Sequence, residues 1–282
     1  MSRMFEEIRQ QPETLARTLS SELKKIEKFR ALMGRRKPRL VVLAARGTSD
    51  NAAQFGRYLI EITTGIPVSL AAPSIHTLYD ARLNYKEALV IAISQSGEST
   101  DTNIVLEHAR KAGAVTVGIT NEPKSALSGL AEYVFLVRAG RERSVAATKT
   151  YTGQLMVLYL IAYALGAKIR LADLQAIPDL AATALTLDKD LFAPSGPTWG
   201  SMQEMLTTLR DLKAETVVIT DRRNPPAANL APRVISVPAR IAELYTPIPY
   251  IIPAQLFAAA LAVEKNLDPD RPRSLSKVTR TL

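Results

Sequence analysis

Cysteine is absent from the 282-residue chain, histidine occurs twice (His76 and His108), tryptophan once, and aromatic residues amount to 6%. Without thiols there is no disulfide framework, no cysteine-ligated zinc, no iron–sulfur cluster and no thiol nucleophile. Two histidines are too few for a histidine-rich metal site, so neither metal nor cofactor is expected. Long apolar runs are scarce as well. Thr150 to Ala167 carries no charge, yet it falls short of the about 20 residues that span a bilayer and holds Thr152, Gln154 and two glycines. It reads as a helix buried on most sides, and no membrane partner is expected. The first ten residues contain Glu6 and Glu7 and no apolar run, so no signal peptide is read there and the cytoplasm is the expected location.

What is present is ordinary for a globular protein: 47% hydrophobic and 22% charged residues. The length suits two domains or one large α/β domain. The net charge is +9, but the basic residues are scattered and poor in neighbouring aromatics, so no nucleic-acid partner is expected.

Along the chain, Leu15, Leu19, Leu23, Ile26 and Leu32 recur at helical spacing, which predicts an amphipathic helix over 13–33. The pattern then changes. Arg39 to Ala45 and Ala88 to Ile93 are Val- and Leu-rich runs fit for strands buried on both faces. Shorter strands are predicted at Pro67 to Ala71, Val115 to Thr120 and Tyr133 to Val137, with helices at about 50–62 and 100–112. Strands alternating with helices in short steps predict βαβ units and a doubly wound parallel sheet.

An internal repeat follows. Val117 to Thr120 aligns with Val217 to Thr220 at an offset of 100, and Tyr133 to Val137 meets Arg233 to Val237 at the same offset. The helix at Thr100 to Ala112 corresponds to Ser201 to Lys213. Two similar α/β lobes of flavodoxin-like type are expected. The repeat breaks upstream of Ser195, where about 55 residues of lobe one, with its first strands, have no counterpart. The expected organisation is an N-terminal helical segment (1–38), lobe one (39–170), a helical connector (171–192) and a shortened lobe two with a tail (193–282).

Two strand-to-helix loops are candidate ligand loops, because ligands bind at the carboxyl edge of such sheets. One is Arg46-Gly47-Thr48-Ser49. The other, Ser94-Gln95-Ser96-Gly97-Glu98-Ser99, sets three hydroxyls and a glycine before a helix N-terminus. Free N–H groups, the positive end of the helix dipole and hydroxyl donors suit a phosphate. Plain N-capping by Ser99 or Thr100 is the structural alternative. The loop has neither a Walker lysine nor the Gly-x-Gly-x-x-Gly fingerprint, which disfavours a nucleotide enzyme.

These loops, together with Ala147-Thr148-Lys149 before an apolar helix and Pro272-Arg273-Ser274-Leu275-Ser276-Lys277 near the end, resemble the sugar isomerase (SIS) family. The likeness is to the isomerase half of glucosamine-6-phosphate synthase and to relatives that deaminate glucosamine-6-phosphate. The resemblance implies that Ser94, Gln95, Ser96 and Ser99 hold a sugar phosphate. It implies that Gly47, Thr48, Ser49 and the backbone around Val145 contact the sugar. Lys277 is implied as the amine that forms a Schiff base with an open-chain ketose, acidifying the neighbouring C–H. By sequence alone, Lys277 also reads as a solvated tail lysine.

Departures from the family pattern matter equally. Ala147 replaces a usual serine, and the family's proton-shuttling Glu and ring-opening His belong to the stretch that lobe two lacks. His76 and His108 fall outside that pattern and are expected at the surface or partly packed, and Glu98 is expected to fix loop geometry. Two functions stay open: an amino-sugar-phosphate isomerase or deaminase, and a non-catalytic sugar-phosphate-binding or regulatory module. A homodimer is expected, since the family builds its sites between subunits.

Overall fold

The structure, a computed structural model, describes residues 2–186, 199–221, 229–231, 233–237 and 241–272. It divides into two compact units, Glu13–Gln175 with Asp270–Leu282, and Met1–Pro12 with Ala176–Pro269. The chain begins with α1 (Arg3–Arg9) and α2 (Gln11–Arg36), the latter longer than the 13–33 read from periodicity.

The larger unit is built on β1 (Leu40–Ala45), β2 (Val68–Leu70), β3 (Ala88–Ile93), β4 (Val115–Thr120) and β5 (Tyr133–Leu136). All neighbours are parallel, in the order β2-β1-β3-β4-β5. That is the flavodoxin-like order of a doubly wound sheet, with its switch point between β1 and β3. Between the strands run α3 (Thr48–Thr64), α4 (Ser74–Thr77), α5 (Thr100–Lys111) and α6 (Ala126–Leu130). After β5 comes α7 (Lys149–Ala164), and the boundary between the units falls within α8 (Leu171–Leu185).

Every residue of β3 is buried, and all but the first of β1, which is why both read as continuous apolar runs. α7 is the uncharged stretch noted in the sequence, and Leu155 through Ala162 are fully enclosed. Helix α3 packs on it tightly: a Cβ on Gly56 would already touch Leu158, and Phe55 meets Tyr159 edge-on. Helix α2 closes the sheet near β5, where Phe29 lies 5.2 Å from the Tyr133 ring and 5.4 Å from that of Phe135. Arg138 is anchored to the fully buried Glu22 of α2 at 2.8 Å.

The smaller unit contains α9 (Trp199–Asp211), β6 (Val217–Asp221), β7 (Arg233–Val237) and α10 (Pro247–Glu264). β6 and β7 are parallel, and Val217 faces Arg233 as Val117 faces Tyr133 in the larger unit. The pairing register therefore recurs 100 positions on. Among the described residues β6 has no second strand neighbour. Helix α1 packs against α10, and Gln11 donates to Gln255 at 2.8 Å. α10 is long and apolar enough to cross a membrane by length and composition, with 28% of its length buried.

Candidate functional site

The switch point places two loops side by side. β1 leads into α3 through Arg46-Gly47, and β3 leads into α5 through Ser94 to Ser99. Gly47 turns the chain at φ +59, a region that side chains disfavour. A bidentate contact links the loops: Arg46 donates Nε (3.0 Å) and Nη2 (2.6 Å) to one oxygen of Asp101, a buried residue in the first turn of α5.

The serine loop is held by its own hydroxyls. Ser94 Oγ accepts from the Gly97 amide at 3.0 Å, and Ser96 Oγ accepts from Glu98 at 3.3 Å. Gly97 sits at φ +68 against Ser125, and its carbonyl accepts from Leu127 and from the Asn103 side chain. Glu98 Oε1 accepts from the Ala126 amide at 3.0 Å, so its carboxylate braces the loop as expected. Ser99 stands at the N-cap of α5, but its hydroxyl pairs with Thr102 at 3.0 Å and caps no backbone amide. The amides of Gln95, Ser96, Ser99 and Thr100 have no hydrogen-bond partner among the described residues. The loop thus presents unpaired N–H donors, three hydroxyls and the positive end of a helix.

A third loop, from β5 to α7, leaves the same carboxyl edge. Asn121, just past β4, fixes it by donating to Gly140 and accepting from the Ala139 amide. Glu142, 5% exposed, does more. Its Oε1 accepts from Thr148 N (2.8 Å), Thr148 Oγ1 (3.2 Å) and Thr150 N (3.2 Å), while Oε2 accepts from the Thr150 hydroxyl. A buried carboxylate thereby caps the N-terminus of α7 and pins both ends of the loop that carries Val145. The Val145 amide donates to Asp270 O at 3.3 Å. Lys149 is buried and donates to Arg141 O at 2.9 Å.

Of the residues read from sequence, Gly47, Thr48 and Ser49 lie on the first loop, Ser94, Gln95, Ser96 and Ser99 on the second, and Val145 on the third. Thr48 is exposed; Ser49 is 7% exposed and accepts from Gln154 of α7 at 3.0 Å. Lys277 lies outside the described residues. Sequence reasoning missed Asp101, Glu142 and Gln154. Gln154 had a signal, being the long polar side chain in an otherwise apolar helix.

The histidines need one correction. His76 is 5% exposed, more enclosed than a surface or partly packed position. Its Nε2 lies 2.9 Å from the Tyr85 hydroxyl, and its ring lies 5.1 Å from that of His108. Burial, reinforced by His108, holds the His76 pKa below its ordinary value; the Ala81 backbone partly opposes the shift. Burial likewise pushes the Tyr85 hydroxyl up. His76 lies on α4, Tyr85 between α4 and β3, and His108 in the last turn of α5, away from the serine loop at the start of that helix. Among the described residues no group of three or more acidic or histidine side chains is placed to hold a metal.

Residues 35–164 match the family model described as SIS domain. The stretch that holds the five-stranded sheet and α7 is thus similar to a SIS domain, and its parallel α/β fold agrees with that likeness. A glutamine–fructose-6-phosphate aminotransferase (isomerizing) of Pyrococcus horikoshii is 28% identical over 349 residues, taking in 97% of this chain and 57% of the relative. The C-terminal domain of glucosamine-fructose-6-phosphate aminotransferase from Francisella tularensis matches with TM-score 0.75 at 22% identity, covering 96% of this chain and 98% of that one. Glucosamine-6-phosphate deaminase from Thermotoga maritima matches with TM-score 0.72 at 16% identity, covering 99% and 100%. The two structural likenesses establish the fold.

The chain spans between 51% and 57% of the length of the first curated relatives. The alignment with the Pyrococcus protein runs over more residues than the chain possesses, 349 against 282. That relative therefore has residues within the matched stretch that this chain lacks.

Proposed function

We propose that the chain binds the phosphate of an amino-sugar phosphate at the serine loop and acts on it as an isomerase or deaminase. The observation that carries the binding step is the loop itself. Unpaired amides at Gln95, Ser96, Ser99 and Thr100, beside the hydroxyls of Ser94, Ser96 and Ser99, gather at the N-terminus of α5. A phosphate supplies the acceptors these donors lack. Gly47, Thr48, Ser49 and the Val145 loop border the sugar, and Lys277 is the amine for a Schiff base with the open-chain ketose. In the deaminating direction, glucosamine-6-phosphate and water give fructose-6-phosphate and ammonia, with a proton moved between C1 and C2.

One observation favours a second reading, that of a sugar-phosphate-binding or regulatory module without chemistry. The relative carries residues inside the matched stretch that this chain lacks. We assign them to the front half of a shortened second lobe beginning near 193, where the family keeps its Glu and His. Both readings take the protein as a cytoplasmic homodimer without a cofactor.

Incubation with glucosamine-6-phosphate in heavy water separates the two. Ammonia release with deuterium at C1 or C2 supports the enzyme, and borohydride trapping lost in Lys277→Ala assigns the lysine. Thermal stabilisation by the sugar without exchange supports the binding module. If neither sugar phosphate stabilises the protein nor exchange occurs, both readings fall.

A further inference from the structure

Gln154 is the one long polar side chain inside an apolar stretch of α7. It is 1% exposed, and the residues that follow it, Leu155 through Ile161, are fully enclosed. Its Nε2 donates to Ser49 Oγ at 3.0 Å, across 105 positions of sequence, while its Oε1 has no partner among the described residues. Burying an amide that makes one of its four possible hydrogen bonds is unfavourable, and such a group calls for an explanation. Packing alone would be served better by leucine, which has nearly the same shape and no polar atoms.

The explanation lies at the other end of the bond. Ser49 lies in the first turn of α3 at the switch point, is 7% exposed, and its hydroxyl makes no other hydrogen bond among the described residues. A hydroxyl oxygen has one hydrogen and two lone pairs, disposed in different directions. With one lone pair taken by an N–H from α7, the hydrogen cannot also point at α7. It is left to be donated elsewhere, and Ser49 stands in the first turn of α3, just after the loop at the carboxyl end of β1.

We infer that Gln154 is a positioning residue: it fixes the Ser49 hydroxyl as a donor, so the ligand atom at Ser49 is an acceptor oxygen of the sugar phosphate. The inference rests on the proposed sugar-phosphate site and adds to it the hydrogen-bond direction at Ser49. An amide does this and a carboxylate does not. The carboxylate of Gln154→Glu would draw the Ser49 hydrogen inward and leave the ligand facing a lone pair.

The test is a binding cycle with glucosamine-6-phosphate and, separately, fructose-6-phosphate, followed by calorimetry on the full chain. Ser49→Ala and Gln154→Leu should each weaken binding by about tenfold, the worth of one good hydrogen bond. The double variant should bind no more weakly than Ser49→Ala alone, because Gln154 acts only through that hydroxyl. Additive losses would overturn the inference and make Gln154 a packing residue. Gln154→Glu supplies a second reading that does not depend on how well the leucine variant folds. Its affinity relative to the native chain should fall as pH rises and the new carboxyl ionises. A pH-independent ratio would overturn the inference and leave the binding site standing. If the native chain binds neither sugar phosphate, the site reading itself fails, and the inference with it.

Discussion

Gly97 shows how little freedom the serine loop has. Its φ of +68 is left-handed, and a methyl group there would run into the Ser125 side chain, itself tied to Glu122 and Ser128. Gly97→Ala should therefore cost about 2–4 kcal/mol, combining backbone strain with a clash that only loop movement relieves. A urea titration measures this, and phosphate-ligand affinity should fall with it, because the same loop carries the unpaired amides. An unchanged midpoint would show that the turn is adaptable.

His76 makes a prediction of the opposite kind, about a residue outside the ligand loops. Its pKa is lowered in the folded chain, so between the folded and the ordinary value the unfolded chain holds the extra proton. Stability then rises with pH across that window and is lost as pH falls through the ordinary histidine range. Between about pH 7.5 and about pH 5.5 the native chain should lose more thermal stability than a His76→Gln variant does. Equal losses would mean that His76 is free to ionise in the folded state.

At the scale of elements, helix α7 depends on a carboxylate that precedes it. The Glu142 carboxylate accepts from the amides and hydroxyls of both Thr148 and Thr150, and a carboxylate suits donors alone. In Glu142→Gln an NH2 must face one of those donors. The expected loss is about 1–3 kcal/mol, together with weaker sugar-phosphate binding as the Val145 loop loosens. Differential scanning calorimetry and a ligand titration check the two effects separately.

Glu142 also marks the limit of what the sequence reveals. The buried strands β1 and β3 were legible because an all-apolar run of six residues between loops fits little else. α7 was legible from its missing charges. The end of α2 was not: residues 34–36 are Gly-Arg-Arg, a polar last turn that hydrophobic periodicity cannot register. The serine loop declared itself by composition. Its supports, Asp101, Asn121, Glu142 and Gln154, did not, because each works through partners between 6 and 105 positions away. A sequence shows the residues that meet a ligand more readily than those that aim them.

The whole molecule is unevenly built, and this has a measurable consequence. In the larger unit, five parallel strands enclose a core in which β3 and the heart of α7 are fully buried. The smaller unit has two described strands and leaves Met205, Leu212, Val217, Phe257, Leu261 and Val263 between 37% and 72% exposed. A two-stranded sheet is marginal unless other elements cover it. Amides of β6 should thus exchange with solvent through local openings far less costly than global unfolding, while those of β3 and β4 open only with the whole larger unit. Calorimetry should resolve two transitions with the smaller unit melting first. Every described candidate ligand residue belongs to the larger unit, so a sugar phosphate at a hundred times its dissociation constant should stabilise that unit by about 2.7 kcal/mol. The upper transition should move and the lower one stay in place. A single transition that shifts as a whole would show instead that the two units unfold together.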